Sequence, residues 1–285
     1  MKVRPDPEDG FPAIDAGEWA DEKHRLLRQY IETSHGVRRG WTDPAAAAKR
    51  GIAKPAGATY IELFSGPGRV FLRGTDDFRD GSPLIAYEEA RRRGSGFTMM
   101  HLGDERADFC EAVKTRLERR GAPVVTYPMQ AEIAADRVVV ALDPYALHFA
   151  FLDSFGFKGA PFSILQKLAR FERMDVLIYV SAMGLQRLLE RWLQSEKRCP
   201  LDEFAPGWRE VVKDARPGDI VARGLVYKHW FDRVRALGFK GQTRGILIRG
   251  TKRQPLYWLV LVAKHDLAEK FWKAVTRGLQ YEMFD

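Results

Sequence analysis

Short apolar runs alternate with amphipathic segments along the chain after residue 58. The apolar runs predict strands at residues 59–64, 97–102, 124–127, 138–142 and 176–180. The amphipathic segments predict helices at residues 83–93, 105–120, 162–172, 184–196 and 227–237. Because strands and helices alternate, the pattern predicts an α/β fold: a doubly wound, mostly parallel, Rossmann-like sheet with helices on both faces.

Two further β runs, at residues 245–248 and 257–263, are joined by a short segment and predict an antiparallel C-terminal hairpin. The fourth predicted strand, residues 138–142, is wholly apolar, which is typical of a strand buried on both faces. In doubly wound sheets, ligands bind beyond the carboxyl ends of the strands, near the point where the strand order reverses. Candidate site residues are therefore sought directly after strands.

The chain before residue 59 carries a different pattern. Residues 1–20 are rich in Pro, Asp and Gly and predict a flexible lead, followed by one helix capped by Asp21. Its predicted buried face holds Leu26, Leu27, Tyr30 and Ile31. We divide the chain into residues 1–58, comprising tail, helix and surface connection, and an α/β domain at 59–285 with an irregular insert at 197–224.

Composition narrows the class of protein. The 285 residues are 45% hydrophobic and 29% charged, as in an ordinary globular protein. No apolar run approaches the roughly 18 residues of a membrane helix, and no signal-peptide pattern opens the chain. Cys110 and Cys199 are too few for a disulfide framework, and the six histidines show no metal-ligand spacing. We therefore predict a cytoplasmic protein with no metal site.

Lys and Arg exceed Asp and Glu, which leaves a net charge of +8. Part of that surplus surrounds the predicted hairpin, at Arg244, Arg249, Lys252 and Arg253. A basic cluster on a hairpin is a candidate nucleic-acid contact, and the alternative is an ordinary solvated surface.

The first candidate site follows the first predicted strand. Glu62 lies inside that strand, and Phe64, Ser65, Gly66 and Gly68 follow it. Small residues at such a position let a ligand approach the backbone closely. The segment lacks the third glycine of a dinucleotide fingerprint and the GK[ST] of a P-loop, which disfavours nicotinamide and nucleoside triphosphate sites. The alternative is a plain turn with a salt-bridged Glu62.

Two acidic residues, Asp104 and Glu105, directly follow the second predicted strand. A carboxylate there can accept hydrogen bonds from both hydroxyls of a ribose. An acidic residue that opens a helix is equally explained by the helix dipole.

The third candidate is Asp143-Pro144-Tyr145, after the fourth predicted strand. Asp143 at the end of a buried parallel strand would face the ligand crevice and accept a hydrogen bond from an amino group. Pro144 stiffens the turn, and Tyr145 offers an aromatic face for a planar substrate. The alternative is an Asp-Pro turn beside a packed tyrosine.

Taken in chain order, these three segments resemble class I S-adenosylmethionine-dependent methyltransferases. More narrowly, the sequence resembles the bacterial three-Cys-motif partner family, over about residues 22–265. The similar segments are residues 24–30, 60–69, 81–86 and 143–145. The chain departs from amino-methyltransferases in having one proline after Asp143, and from the family in having Ala146 where glycine is common.

The resemblance implies S-adenosylmethionine as cofactor, with Glu62 and the Gly66–Gly68 turn holding its methionine end and Asp104 its ribose. It implies that Asp143 and the Pro144 carbonyl orient a target amine while Tyr145 stacks on its ring. The predicted function is methylation of an amino group on nucleic acid or a related base. The alternative is a non-catalytic nucleic-acid-binding or accessory subunit of a protein that carries the three-cysteine motif.

Overall fold

The computed structural model of the protein describes residues 2–154, 156–158, 160–214, 220–241, 245–279 and 281–282. Within those ranges, nine strands form a central sheet. They are β3 (Ala58–Glu62), β6 (Met99–Asp104), β7 (Val124–Pro128), β8 (Leu147–Leu152), β9 (Met174–Val180), β10 (Lys240–Gly241), β11 (Gly245–Arg249), β12 (Pro255–Ala263) and β13 (Tyr281–Glu282).

Five neighbouring strands of this sheet, in the order β7-β6-β3-β8-β9, are parallel. β12 lies antiparallel beside β9, and β11 pairs with β12 as the predicted C-terminal hairpin. The chain leaves β3 toward β7 on one side and returns to β8 on the other. The strand order therefore reverses between β3 and β8, and the prediction of a mostly parallel α/β sheet is confirmed.

Helices cover both faces of the sheet. One face packs against α1 (Trp19–Thr33), α4 (Ser82–Arg92), α5 (Ala107–Glu118) and α12 (Asp266–Val275). The other packs against α6 (Ala131–Ala141), α7 (Phe162–Leu168), α8 (Ala182–Leu193) and α11 (Ile220–Ala236). Successive strand residues enter opposite cores, as Tyr60 and Ile61 do, because side chains alternate across a strand.

The predicted fourth strand is wrong. Residues 138–141 belong to α6, and the strand between β3 and β9 is Leu147–Leu152. Buried Ala131, Ala134 and Val138 recur at helical spacing, whereas Val140 is 85% exposed and therefore cannot belong to a doubly buried strand. A short apolar run has no period of its own, and here it was the end of an amphipathic helix.

The flexible lead expected at residues 1–20 is also not what the structure has. β1 (Val3–Pro5) and β2 (Pro12–Ala16) join β4 (Arg69–Leu72) and β5 (Phe78–Asp80) in a small second sheet. Buried Arg116 of α5 anchors this segment, because its guanidinium donates to Asp9 Oδ2 at 2.7 Å and to the Pro12 carbonyl at 2.9 Å. An acid–arginine pair thus orders a stretch whose composition is typical of a tail.

The remaining connections are partly helical. The predicted surface connection holds α2 (His35–Thr42) and α3 (Pro44–Ala48), and the insert holds α9 (Pro200–Phe204) and α10 (Trp208–Val211). Among the described helices, none has the combination of length and apolar character that crossing a membrane requires.

Candidate functional site

The carboxyl ends of β3, β6 and β8 border a cleft where the strand order reverses. The cleft consists of two cavities, of about 530 and 250 Å³, that share a wall formed by Ile14, Phe64 and Gly66. The larger cavity is lined by Asp104 and Glu105, and the smaller one by residues 65–68 and Asp153. A doubly wound sheet binds its ligands at this position.

The loop after β3 depends on its glycines. Gly68 has φ +85°, and a Cβ there would lie 2.6 Å from Leu84 Cδ1 and 2.9 Å from Val113 Cγ2. Gly66 has φ +57°, and its Cβ would approach Ile14 Cδ1 to 3.3 Å. The loop is therefore seated directly on α4 and α5, and its backbone borders the cleft without intervening side chains.

Glu62 lies beneath this loop with no exposed surface. Its carboxyl accepts hydrogen bonds from the Tyr60 hydroxyl at 2.7 Å and from Ser82 Oγ at 2.5 Å. Burial raises the pKa of Glu62 to about 8, an effect that the two hydrogen bonds oppose. Gly81 occupies the N-cap position of α4, and the hydroxyl of Ser82 joins the start of this helix to Glu62.

Asp104 ties the ends of two strands together. Its Oδ2 accepts a hydrogen bond from the Gly66 backbone N–H at 3.1 Å, and its Oδ1 accepts one from the Arg106 N–H at 3.0 Å. Burial raises the pKa of this half-buried carboxyl, whereas the backbone donors act in the opposite direction. Glu105 is exposed beside it. Each Asp104 oxygen has a free lone pair, so the carboxylate can accept further donors from the cleft.

The structure places Asp143, Pro144 and Tyr145 at the opposite edge of the sheet. They precede β8 instead of following a strand, so the expectation that Asp143 faces the crevice is wrong. Asp143 Oδ1 accepts the Tyr145 N–H at 2.8 Å, the Asp143 carbonyl accepts from His148 Nε2 at 3.0 Å, and Tyr145 is 70% exposed. These contacts are those of an Asp-Pro turn.

Sequence reasoning missed the aspartate that does end the fourth strand. Asp153 directly follows β8, its side chain is 16% exposed, and it forms an ion pair with Lys23 of α1. Both side chains line the smaller cavity together with residues 65–68. The signal was present in the apolar run at residues 149–152 that ends at Asp153, but the strand had been assigned ten residues earlier.

The basic hairpin lies at the same edge as the cleft. Trp258 pairs with Val180 at the carboxyl end of β9, so the turn between β11 and β12 projects beyond that edge. Arg249, Lys252 and Arg253 are exposed there, and Arg249 donates to the Arg253 carbonyl at 2.8 Å. The fourth predicted contact, Arg244, lies outside the described residues.

No family model and no curated protein matches this sequence. Among solved structures, a putative hemolysin from Lactococcus lactis is 16% identical, with 81% of this chain and 89% of that chain covered and a TM-score of 0.38. A structure described as "Conversion of a Disulfide Bond into a Thioacetal Group during Echinomycin Biosynthesis" is 15% identical, covering 83% and 88% at a TM-score of 0.37. "StiE O-MT residues 942-1257" is 11% identical, covering 89% and 95% at 0.31. Likeness at these scores assigns neither fold nor activity; the fold is described here from the strand order.

Proposed function

We propose that the carboxyl-edge cleft binds S-adenosylmethionine and that the protein methylates an amino group on nucleic acid or a related base. The observation that carries the proposal is the convergence of the loop after β3, Asp104 and Asp153 on one cleft at the reversal of strand order. Five parallel strands followed by an antiparallel hairpin also agree with the methyltransferase-like sequence segments.

The residues of the cleft fit the two ends of this cofactor. Asp104 and Glu105 would accept hydrogen bonds from the ribose hydroxyls in the larger cavity. The backbone of residues 65–68, which lines the smaller cavity, would meet the methionine end there, with Glu62 supporting the loop from below. When bound, S-adenosylmethionine supplies an electrophilic methyl group on a sulfonium sulfur.

Asp153 is the side chain that we place against the target amine. A carboxylate there would accept a hydrogen bond from the amine N–H and aim the nitrogen lone pair into the cleft. Lys23 would hold the carboxylate in position through their ion pair. Burial, and then the charge of Asp153, raise the pKa of the half-buried Tyr179 near the end of β9 to about 12. Catalysis of this kind consists mainly of positioning.

One observation favours the second candidate function, a non-catalytic nucleic-acid-binding or accessory subunit, with a three-Cys-motif protein as its partner. The Asp153 carboxylate is already engaged by Lys23, and Asp143-Pro144-Tyr145 lies at the other edge of the sheet. In either case the exposed Arg249, Lys252 and Arg253 would contact phosphates beside the cleft.

Calorimetric titration with S-adenosylmethionine and its demethylated product tests the cofactor. We expect binding by the wild type and an affinity about 10-fold to 100-fold lower for Asp104→Ala, because hydrogen bonds to a charged group are lost. Asp143→Ala, at the opposite edge, is the matched control and should bind normally. No measurable heat at millimolar cofactor would refute the proposal. Cofactor binding without methyl transfer to a mixed nucleic-acid pool would favour the accessory subunit.

A further inference from the structure

A third cavity, of about 430 Å³, lies at the amino edge of the sheet. Side chains of α1, α2, α12 and the first residues of β3, β8 and β9 line it. Its volume is within the usual range for small-molecule sites. It is separate from the cleft, because the two share no lining residue: Ala58 and Thr59 at the start of β3 line this cavity, whereas Phe64, after the end of β3, lines the cleft.

Asp175 is the acidic group of this cavity. Its Oδ2 accepts a hydrogen bond from the Tyr30 hydroxyl at 2.7 Å. In the part of the chain that the structure describes, no Lys, Arg or His forms an ion pair with it. Burial raises the pKa of Asp175 to about 7, an effect that the Tyr30 hydrogen bond opposes. The carboxyl can therefore gain from a ligand that brings N–H donors or positive charge.

The other walls favour a flat ligand. Phe149 and Leu147 contribute apolar surface, and Ala268 and Phe271 close the cavity from α12. On one side the Arg173 guanidinium lies 4.7 Å from the ring centroid of Trp41. A planar, nitrogen-rich group thus already stacks on an aromatic side chain at this wall.

We propose that this amino-edge cavity binds a small planar heterocycle whose edge presents adjacent N–H donors, as an aminopyrimidine or an aminopurine does. The ring would lie between the apolar walls beside Trp41, and its N–H edge would donate to Asp175. Tyr30 would hold the carboxylate in place from the other side.

Ligand-observed NMR and calorimetry with 2-aminobenzimidazole test the proposal. This probe carries the required N–H edge on a flat ring of suitable size. The comparison probe is 1-methylbenzimidazole, which keeps the bicyclic ring and is neutral but has no N–H donor. We expect 2-aminobenzimidazole to bind the wild-type protein and 1-methylbenzimidazole to bind at least 10-fold more weakly. Saturating S-adenosylhomocysteine should not displace the probe.

Two variants locate the site. Asp175→Asn retains an oxygen that can accept the hydrogen bond from the Tyr30 hydroxyl, but it removes the negative charge. We expect it to lower the affinity for 2-aminobenzimidazole about 10-fold to 100-fold. Leu267→Trp fills the cavity from α12 and should abolish binding, whereas Val140→Trp adds the same indole at an exposed position and should not. Melting temperatures of all three variants verify that the fold is retained.

The proposal is overturned by any of three results. The first is no binding of 2-aminobenzimidazole at millimolar concentration. The second is equal binding of 1-methylbenzimidazole, which would mean that the cavity selects the flat ring and not its N–H edge. The third is binding that survives Leu267→Trp in folded protein or is displaced by S-adenosylhomocysteine, which would place the probe elsewhere.

Discussion

At the carboxyl edge of the sheet, the Glu62 carboxyl accepts two hydrogen bonds and Asp153 is paired with Lys23. At the amino edge, Asp175 accepts one hydrogen bond, from Tyr30. Both edges thus hold carboxyl groups that are at least half-buried, but those of the carboxyl edge have an ion pair or two hydrogen bonds, whereas Asp175 has one hydrogen bond. The comparison teaches that one sheet can hold its acids by different means: the carboxyl edge uses an ion pair and paired hydrogen bonds, whereas the amino edge uses a single hydroxyl.

Replacing a buried arginine near each edge tests this difference between the edges and should give the largest effect. Arg116 lies behind the carboxyl-edge loop and donates to Asp9 and to the Pro67 carbonyl. Arg38, near the amino edge, is equally buried but donates to neutral oxygens of Ser95 and Ile31. We expect Arg116→Met to lower the free energy of unfolding by about 3–4 kcal/mol, because the half-buried Asp9 carboxylate and the Pro67 carbonyl lose their donor.

Arg38→Met leaves only neutral acceptors unpaired, so we expect a smaller loss, of about 1–3 kcal/mol. Urea denaturation of both variants measures the difference. Arg116→Met should also lower the affinity for S-adenosylmethionine, since Pro67 belongs to the loop that borders the cleft. Equal losses for the two variants would show that the carboxyl edge is not braced more strongly than the amino edge.

The two aspartates give the next largest effect. Asp153 lines the cleft and Asp143 forms a turn at the other edge. If Asp153 orients the target amine, Asp153→Ala should lower methyl transfer per folded molecule by roughly 10²-fold or more. Asp153→Asn should retain much of the activity, because an amide oxygen can accept the same hydrogen bond. Asp143→Ala should transfer methyl groups at the wild-type rate.

A mixed nucleic-acid pool and labelled cofactor, normalised to folded protein, provide the assay. Unchanged turnover for Asp153→Ala would remove this residue from the mechanism. A loss confined to Asp143→Ala would return the catalytic role to the segment that the sequence singled out.

These aspartates also show where sequence reasoning succeeds and where it stops. The loop after β3 and the acid after β6 could be predicted, because a strand that ends in small or acidic residues marks the carboxyl edge locally. The C-terminal hairpin could also be predicted, because its two β runs and their short connection are adjacent in the sequence. The strand at residues 138–142 failed because five apolar residues satisfy a helix face and a strand alike, and only packing against α7 and β6 decides between them.

Ion pairs between residues far apart in the chain could not be predicted from the sequence. Arg116 reaches Asp9 across more than a hundred residues, and Lys23 reaches Asp153 across 130. Neither pairing leaves a periodic signal, because an arginine or lysine on a helix reads as solvated surface until its partner is known. The amino-edge cavity belongs to the same class, since α1, α2 and α12 meet there only in the folded chain.

The pH dependence of stability sharpens the contrast between the buried acids. The pKa of Glu62 is raised to about 8 and that of Asp175 to about 7, both from ordinary values near 4. The folded state therefore holds more protons than the unfolded state between pH 4 and these values. Its free energy of unfolding falls as pH rises, by up to about 1.4 kcal/mol per pH unit for each group.

Glu62→Gln should remove this slope up to about pH 8, and Asp175→Asn only up to about pH 7. Urea denaturation from pH 5 to pH 9 compares the two variants with wild type. Between pH 7 and pH 8 only Glu62→Gln should gain stability relative to wild type as the pH rises. Parallel curves for all three proteins would mean that neither acid is protonated in the folded state.

The smallest effect concerns the basic residues at the two edges. Arg249, Lys252 and Arg253 project from the hairpin at the carboxyl edge, whereas the exposed Arg50 lies at the amino edge. If nucleic acid approaches the cleft, each hairpin residue that neutralises a phosphate contributes about 0.9 to the slope of log affinity against log salt on duplex DNA. Replacing one of the three by Ala should lower the slope by about that amount, and Arg50→Ala should leave it unchanged.

Fluorescence anisotropy with a labelled duplex and a labelled single strand, from about 25 to about 300 mM salt, measures both slopes. Equal effects at the two edges would show that positive charge attracts nucleic acid without directing it to the cleft. That result would contradict the proposal that the cleft acts on nucleic acid.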